Sequence, residues 1–133
     1  MIHKFVVAAD RGDPEVVLWG TGKPSREFLY VDDAARALLL CAERLDVSDP
    51  VNIGTGKETS IRDLAGMISE LAGFEGKTVW DESRPDGQPK RYLDVSRARD
   101  LVGFEAETPL EDGLRRTIES FRAAELATAG SSA

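Results

Sequence analysis

Cysteine and histidine are nearly absent, since the 133 residues contain one of each, Cys41 and His3. One cysteine excludes an intramolecular disulfide framework. It lies among Leu38, Leu39, Leu40 and Ala42, where a thiol serves as a small apolar side chain. One histidine and one cysteine without clustered spacing give no basis for a metal site. Basic charge is short as well: 17 Lys and Arg stand against 24 Asp and Glu, a formal net charge of -7. That balance excludes the broad positive field of a nucleic-acid or membrane-surface binder, yet a few basic residues can still converge on a small anion. No apolar run approaches the ~20 residues of a membrane span. No signal peptide is visible, so a cytoplasmic protein is expected.

What is present fits one domain with a real core: 133 residues, 41% of them hydrophobic. Residues 1–9 read as the end of a helix, and Asp10-Arg11-Gly12-Asp13-Pro14 as a turn. Val16–Trp19 and Phe28–Val31 read as extended. The helix over 32–45 takes Asp32 as N-cap and Asp33 in its first turn. It is polar in its body only at Arg36, Glu43 and Arg44, so it requires burial on most sides. Val51-Asn52-Ile53 reads as a short strand. Ser60 caps a helix over 60–72, with Asp63 completing a weak capping box and Gly73 ending it. Lys77–Trp80 reads as a strand, 82–91 as an irregular loop and 96–102 as a short helix. Thr108 and Pro109 open the last helix, with proline at its first position. The domain spans 1–122, and the small, polar residues 123–133 form a flexible tail.

One stretch organises the chain. Trp19-Gly20-Thr21-Gly22-Lys23-Pro24-Ser25-Arg26-Glu27-Phe28-Leu29-Tyr30-Val31-Asp32-Asp33 brings an aromatic, an arginine and a helix start within fifteen residues. That combination suits an anionic ligand with a flat base, because arginine offers a planar fork to phosphate and tryptophan a face to the base. The same residues also fit a hairpin and a core helix, with Arg26 in an ion pair to Glu27 or Asp32. Gly-Thr-Gly-Lys occurs at 20–23 and 54–57, but neither copy is a phosphate-binding P-loop. The earlier glycine would fall at Val17 or Val51, and Pro24 or Glu58 stands where Ser or Thr is required.

As a set, these motifs resemble the GDP-L-fucose synthase family of extended short-chain dehydrogenases. The resemblance rests on Trp-Gly-x-Gly-x-Pro-x-Arg-Glu-Phe-Leu-Tyr-Val-Asp-Asp at 19–33 and on Asn52-Ile53-Gly54-Thr55-Gly56. Arg84-Pro85-Asp86-Gly87-Gln88-Pro89-Lys90-Arg91 and Leu93-Asp94-Val95-Ser96 follow in the family's order. It runs from about Ile2 to Phe121 and covers only the family's C-terminal part. The implied fold is α/β, a small C-terminal substrate-binding domain without the Rossmann dinucleotide-binding domain. In the whole family enzyme, a GDP-4-keto-6-deoxymannose is epimerised and then reduced with NADPH.

By residue-by-residue match the resemblance implies nucleotide-sugar contacts at Lys4, Trp19, Arg26, Asp86 and Arg91. The family often has Arg where Lys4 stands and Lys where Arg91 stands, which keeps charge but not fork geometry. Asp86 also fits simply as a turn-former in Pro85-Asp86-Gly87, and Arg91 as a solvated cation. No catalytic residue is expected. The family's Tyr/Lys pair has no counterpart, since Tyr30 is followed at that spacing by Ala34 and Tyr92 by Ser96. His3 is out of register with the family's histidine. No cofactor is expected in this chain, because the Gly-rich turn that NADP needs in the intact family is missing; Gly73-x-x-Gly76 continues to Val79. The expected partners are a GDP-sugar and either a second copy of the chain or a missing dinucleotide-binding domain. A stand-alone nucleotide-sugar-binding or regulatory protein, or an interaction module that lost the ligand, remain the other readings. Met1 fits a natural start or a truncation equally.

Overall fold

The structure, a computed structural model, describes residues 1–130. In chain order the elements are α1 (Ile2–Arg11), β1 (Glu15–Trp19), β2 (Ser25–Arg26), α2 (Val31–Arg44) and β3 (Thr59–Ser60). There follow α3 (Ile61–Ala72), β4 (Lys77–Asp81), β5 (Lys90–Arg91), α4 (Ser96–Val102) and α5 (Leu110–Gly130). The architecture is mixed α/β. β1 pairs in parallel with β4, Glu15 opposite Lys77 and Trp19 opposite Asp81. β2 lies between antiparallel β3 and parallel β5. The two extended runs around the Gly20–Lys23 turn thus enter different sheets, so no hairpin forms.

The first core is built where sequence periodicity is clearest. Along β1, Val16 and Leu18 point inward while Glu15, Val17 and Trp19 point out, the two-residue alternation of a half-buried strand. Phe5, Val6 and Ala8 of α1 meet Leu64, Ala65, Ile68 and Ala72 of α3 and Ile118 of α5. The Phe5 and Phe74 rings meet edge to face, 5.6 Å between centroids. α3 starts as its sequence dictates: the Asp63 amide donates to Ser60 Oγ at 3.0 Å. It stops at Gly73, whose φ of 69° suits a residue without Cβ. Arg122 of α5 donates to the Ala72 carbonyl at 3.0 Å, satisfying one of the free acceptors at that end.

The second core is smaller: Ala37 of α2, Ala98 and Val102 of α4, and Phe104, flanked by Leu29, Leu40, Cys41, Leu45, Val51, Ile53 and Ala106. Cys41 is a free thiol in this apolar setting. α2 departs from the sequence reading at its start. The helix begins at Val31 with Tyr30 as N-cap, so Asp32 and Asp33 both lie in the first turn and neither caps it. The Asp33 carboxylate is used elsewhere, on the amides of Glu107 at 3.2 Å and Thr108 at 2.9 Å. Within this chain α2 is not buried on most sides; Leu38 and Leu39 are 67% and 66% exposed. Of the extended run 28–31 only the preceding Ser25–Arg26 is strand, and Val51–Ile53 is irregular although its apolar side chains still pack. α5 begins at Leu110, one residue after the proline, and the Pro109 carbonyl accepts from Gly113 at 3.0 Å. Helix covers 123–130, where the sequence suggested a flexible tail; 131–133 lie outside the described residues.

Asp33 is 5% exposed. Burial works against its charge, but the amide and hydroxyl of Thr108, the Arg36 guanidinium and the Glu107 amide outweigh it and hold the carboxyl below its ordinary value. A carboxyl that titrates lower when folded stabilises the fold fully above its unfolded pKa, and this is lost as pH falls through the folded pKa. Asp33→Asn is therefore expected to lower stability by about 1.5–3 kcal/mol at neutral pH, the range for hydrogen bonds to a charged group. In urea unfolding followed across pH, the gap between wild type and Asp33→Asn should be constant at neutral pH and shrink below the ordinary carboxyl value of 3.8. A gap independent of pH refutes the assignment.

Candidate functional site

Two of the sequence-predicted residues share one cavity. In the parallel pairing of β2 with β5, Arg26 lies opposite Arg91. Neighbouring strands run about 4.8 Å apart, so two guanidinium groups start from adjacent backbone positions. Both line a cavity of about 200 Å³ with Glu27, Leu29, Ile53, Gly54, Tyr92 and Leu93. Among the described residues neither guanidinium pairs with a carboxylate. Arg26 instead donates to the Ser25 carbonyl at 2.6 Å, so the ion pair with Glu27 or Asp32 that its sequence neighbours allow is not formed. Glu27 is engaged by backbone: Oε1 accepts from the amides of Thr55 and Gly56, Oε2 from that of Leu93 at 2.8 Å. The result is a cationic pair on an apolar wall, which suits a diphosphate or another compact anion.

Trp19 and Asp86 form a second group beside the Gly20–Lys23 turn. Trp19 is 68% exposed at the end of β1, with the Arg84 guanidinium 5.1 Å from the ring centroid. Asp86 reaches back to the turn; its oxygens accept from the Thr21 amide at 2.6 Å and the Thr21 hydroxyl at 2.7 Å. Those bonds hold its carboxyl below the ordinary range, so it is anionic at neutral pH. Gly20, at φ 83°, leaves no room for a Cβ against Asp86 Oδ1. The Ser25 amide donates to the Pro89 carbonyl at 3.0 Å, which ties this group to the arginine pair. Lys4 is not brought to either group. On α1 it donates from Nζ to the Val17 carbonyl at 2.9 Å, two residues before Trp19.

The other sequence candidates are occupied by packing. His3 meets Phe121 edge to face at 5.7 Å. Tyr30 packs against Gly113 under the Arg116 guanidinium. Lys90 Nζ lies 4.7 Å from the Tyr92 ring, but it is bonded to Glu58 at 3.0 Å. That carboxylate raises its pKa and keeps it charged, the reverse of what a base requires. The residues do not fit a dinucleotide either. After β1 the Gly20–Gly22 turn leads to a strand, not to a helix N-terminus, and a Cβ on Gly22 would fall 2.6 Å from the Trp80 indole. The space where a pyrophosphate would approach such a turn is filled by a ring. Sequence reasoning missed Tyr92, half exposed on the cavity wall, and the apolar contribution of Leu29 and Ile53. Adjacency of Tyr92 to Arg91 was a signal for the first; nothing local marked the others.

Comparison with known proteins places the fold. Residues 1–54 match the model of the NAD dependent epimerase/dehydratase family. Fold and sequence alike show that the chain is similar to members of that family. The relatives it resembles include GDP-L-fucose synthases. It is 44% identical to GDP-L-fucose synthase 1 of Arabidopsis thaliana over 119 residues, 90% of this chain and 36% of the relative. It is 42% identical to the probable GDP-L-fucose synthase 1 of Oryza sativa subsp. japonica, with the same coverage of 90% and 36%. The solved GDP-L-fucose synthetase of Naegleria fowleri bound to NADP superposes with a TM-score of 0.85 at 32% identity, covering 92% of this chain and 38% of that one. The chain thus spans little more than a third of the length of the relatives it matches.

Proposed function

We propose that this chain is the nucleotide-sugar-binding, C-terminal portion of a GDP-L-fucose synthase-like epimerase/reductase, and that its ligand is a GDP-sugar. The observation that carries this reading is Arg26 opposite Arg91 on one cavity, both free of carboxylates among the described residues. In this reading the two guanidinium groups take the diphosphate. Trp19, exposed and already carrying a cation on its face, packs against the base. Asp86 holds the turn and offers its remaining lone pairs to ring NH or ribose hydroxyl groups. The chain does not bind NADP and performs no hydride transfer alone, in keeping with its ring-filled turn and the lack of a Tyr/Lys pair. Its proposed location is the cytoplasm, in keeping with one unpaired thiol. A stand-alone binding protein would bind the same ligand without a catalytic partner, and an interaction module would not bind it.

The partner surface is the outer face of α2. Val31, Ala35, Leu38, Leu39 and Ala42 recur at helical spacing and are all exposed. Covering a half-exposed leucine contributes about 1–1.5 kcal/mol. We infer that a twofold copy of the chain, or a dinucleotide-binding domain, covers this face.

Three measurements test these points. Titration calorimetry with GDP should show weak binding that weakens further with salt, and Arg26→Ala should cost about 1.5–3 kcal/mol. Equal affinity of wild type and variant, or no heat from either, counts against the site. Fluorescence titration with NADPH should show no binding and no turnover of a GDP-sugar by the 133-residue chain; either activity sinks the division of labour. Sedimentation at micromolar concentration should give a dimer, and Leu38→Glu should return a monomer. A monomeric wild type with little binding of a hydrophobic dye would show that the α2 face needs no cover.

A further inference from the structure

Glu27 is the residue on which the geometry of the arginine cavity converges. The cavity wall consists of three segments: 26–29, 53–54 and 91–93. The Glu27 carboxylate belongs to the first and is bonded to backbone in or next to the other two. Oε1 accepts from Thr55 and from Gly56 at 2.8 Å, and Oε2 accepts from Leu93 at 2.8 Å. Gly54 passes so close that a Cβ would collide with Oε1. Asn52, which donates to the Asp94 carbonyl at 3.1 Å, and Glu58, which accepts from Ser25 and Lys90, tie the same segments only at the periphery.

Two effects follow from this arrangement. The carboxylate fixes the strand that carries Arg26 against the segment that carries Arg91, so the distance between the two cations is set. Its charge is also absorbed by three main-chain N–H dipoles rather than by either arginine, which leaves both guanidinium groups for a ligand. Resting on the anion-binding reading given above, we propose that Glu27 is a positioning residue for that anion. It strengthens anion binding although it is itself an anion beside the site.

The sign of the effect makes the proposal testable. Removing a negative charge near two arginines should by Coulomb's law tighten an anion. Glu27→Gln keeps the size of the side chain but turns an N–H donor toward one of the amides it now accepts from. The expected result is GDP affinity reduced about tenfold, the scale of a lost charge-assisted hydrogen bond, measured by calorimetry well below the thermal midpoint. Gly54→Ala provides a second route. It leaves every charge in place but displaces the Glu27 carboxylate, so it should weaken GDP in the same direction. Amide hydrogen exchange should speed up at Leu93 in the Gln variant and at Gly56 in the Ala variant. If wild type binds GDP and both variants bind it equally well or better, the positioning role is overturned and the anion site stands. If wild type binds neither GDP nor inorganic pyrophosphate, the site itself is overturned and this inference with it. A fall in thermal midpoint with unchanged affinity of the folded protein would reduce Glu27 to a structural residue.

Discussion

Asp33 joins the two halves of this fold. It is the one buried charged residue among those described. A carboxylate out of water is costly unless it is hydrogen-bonded, and Asp33 meets that demand with two backbone amides just ahead of α5 and with Arg36. α2 belongs to the smaller core through Ala37, and α5 to the larger through Ile118. The bonds from Asp33 to Glu107 and Thr108 therefore lock one core onto the other. Arg36 reinforces the junction by donating to the Glu105 carbonyl at 2.6 Å and stacking over Phe104.

The same device recurs at the candidate site. Asp33, Glu27 and Asp86 each hold main-chain amides that lie far away in sequence: Asp33 to Thr108 spans 75 residues, Glu27 to Leu93 spans 66 and Asp86 to Thr21 spans 65. This explains how a chain with a net charge of -7 can keep a local pair of arginines free of carboxylates among the described residues. Acids nearest the basic residues are engaged by N–H dipoles. Arg26 and Arg91 keep their charge uncompensated, on an otherwise apolar wall. Overall acidity governs nonspecific association, whereas this local arrangement governs what a small ligand meets.

The family match over residues 1–54 and the similarity to GDP-L-fucose synthases over 90% of the chain concern sequence and fold. Only 36% of the length of those relatives is matched. The exposed apolar stripe on α2 includes Leu38 and Leu39, 67% and 66% exposed. The cavity and the apolar stripe lie on different elements, the stripe on α2 and the cavity on the segments around β2 and β5.

Much of the fold was readable from local rules. Ser60 with Asp63 and the glycine at 73 set both ends of α3, because capping depends on residues within one turn. Alternation gave β1, and the Trp19-to-Asp33 motif with the Arg84-to-Arg91 segment singled out the residues now found at the cavity and the neighbouring turn. What the chain alone could not disclose was where side chains go once distant segments meet. Asp32 looked like a helix cap, yet Tyr30 takes that position and Asp33 reaches to residue 108 instead. Arg26 looked ready to pair with Glu27, but Glu27 found its partners in the amides of 55, 56 and 93, while Arg26 bonds to the Ser25 carbonyl. Lys4 was expected beside the other basic residues but bonds to the Val17 carbonyl. Sequence determined the elements, their caps and the residue types of the site, because these depend on neighbours along the chain. Only the tertiary structure decided which charges are neutralised, since that depends on amides contributed from 28 to 75 residues away.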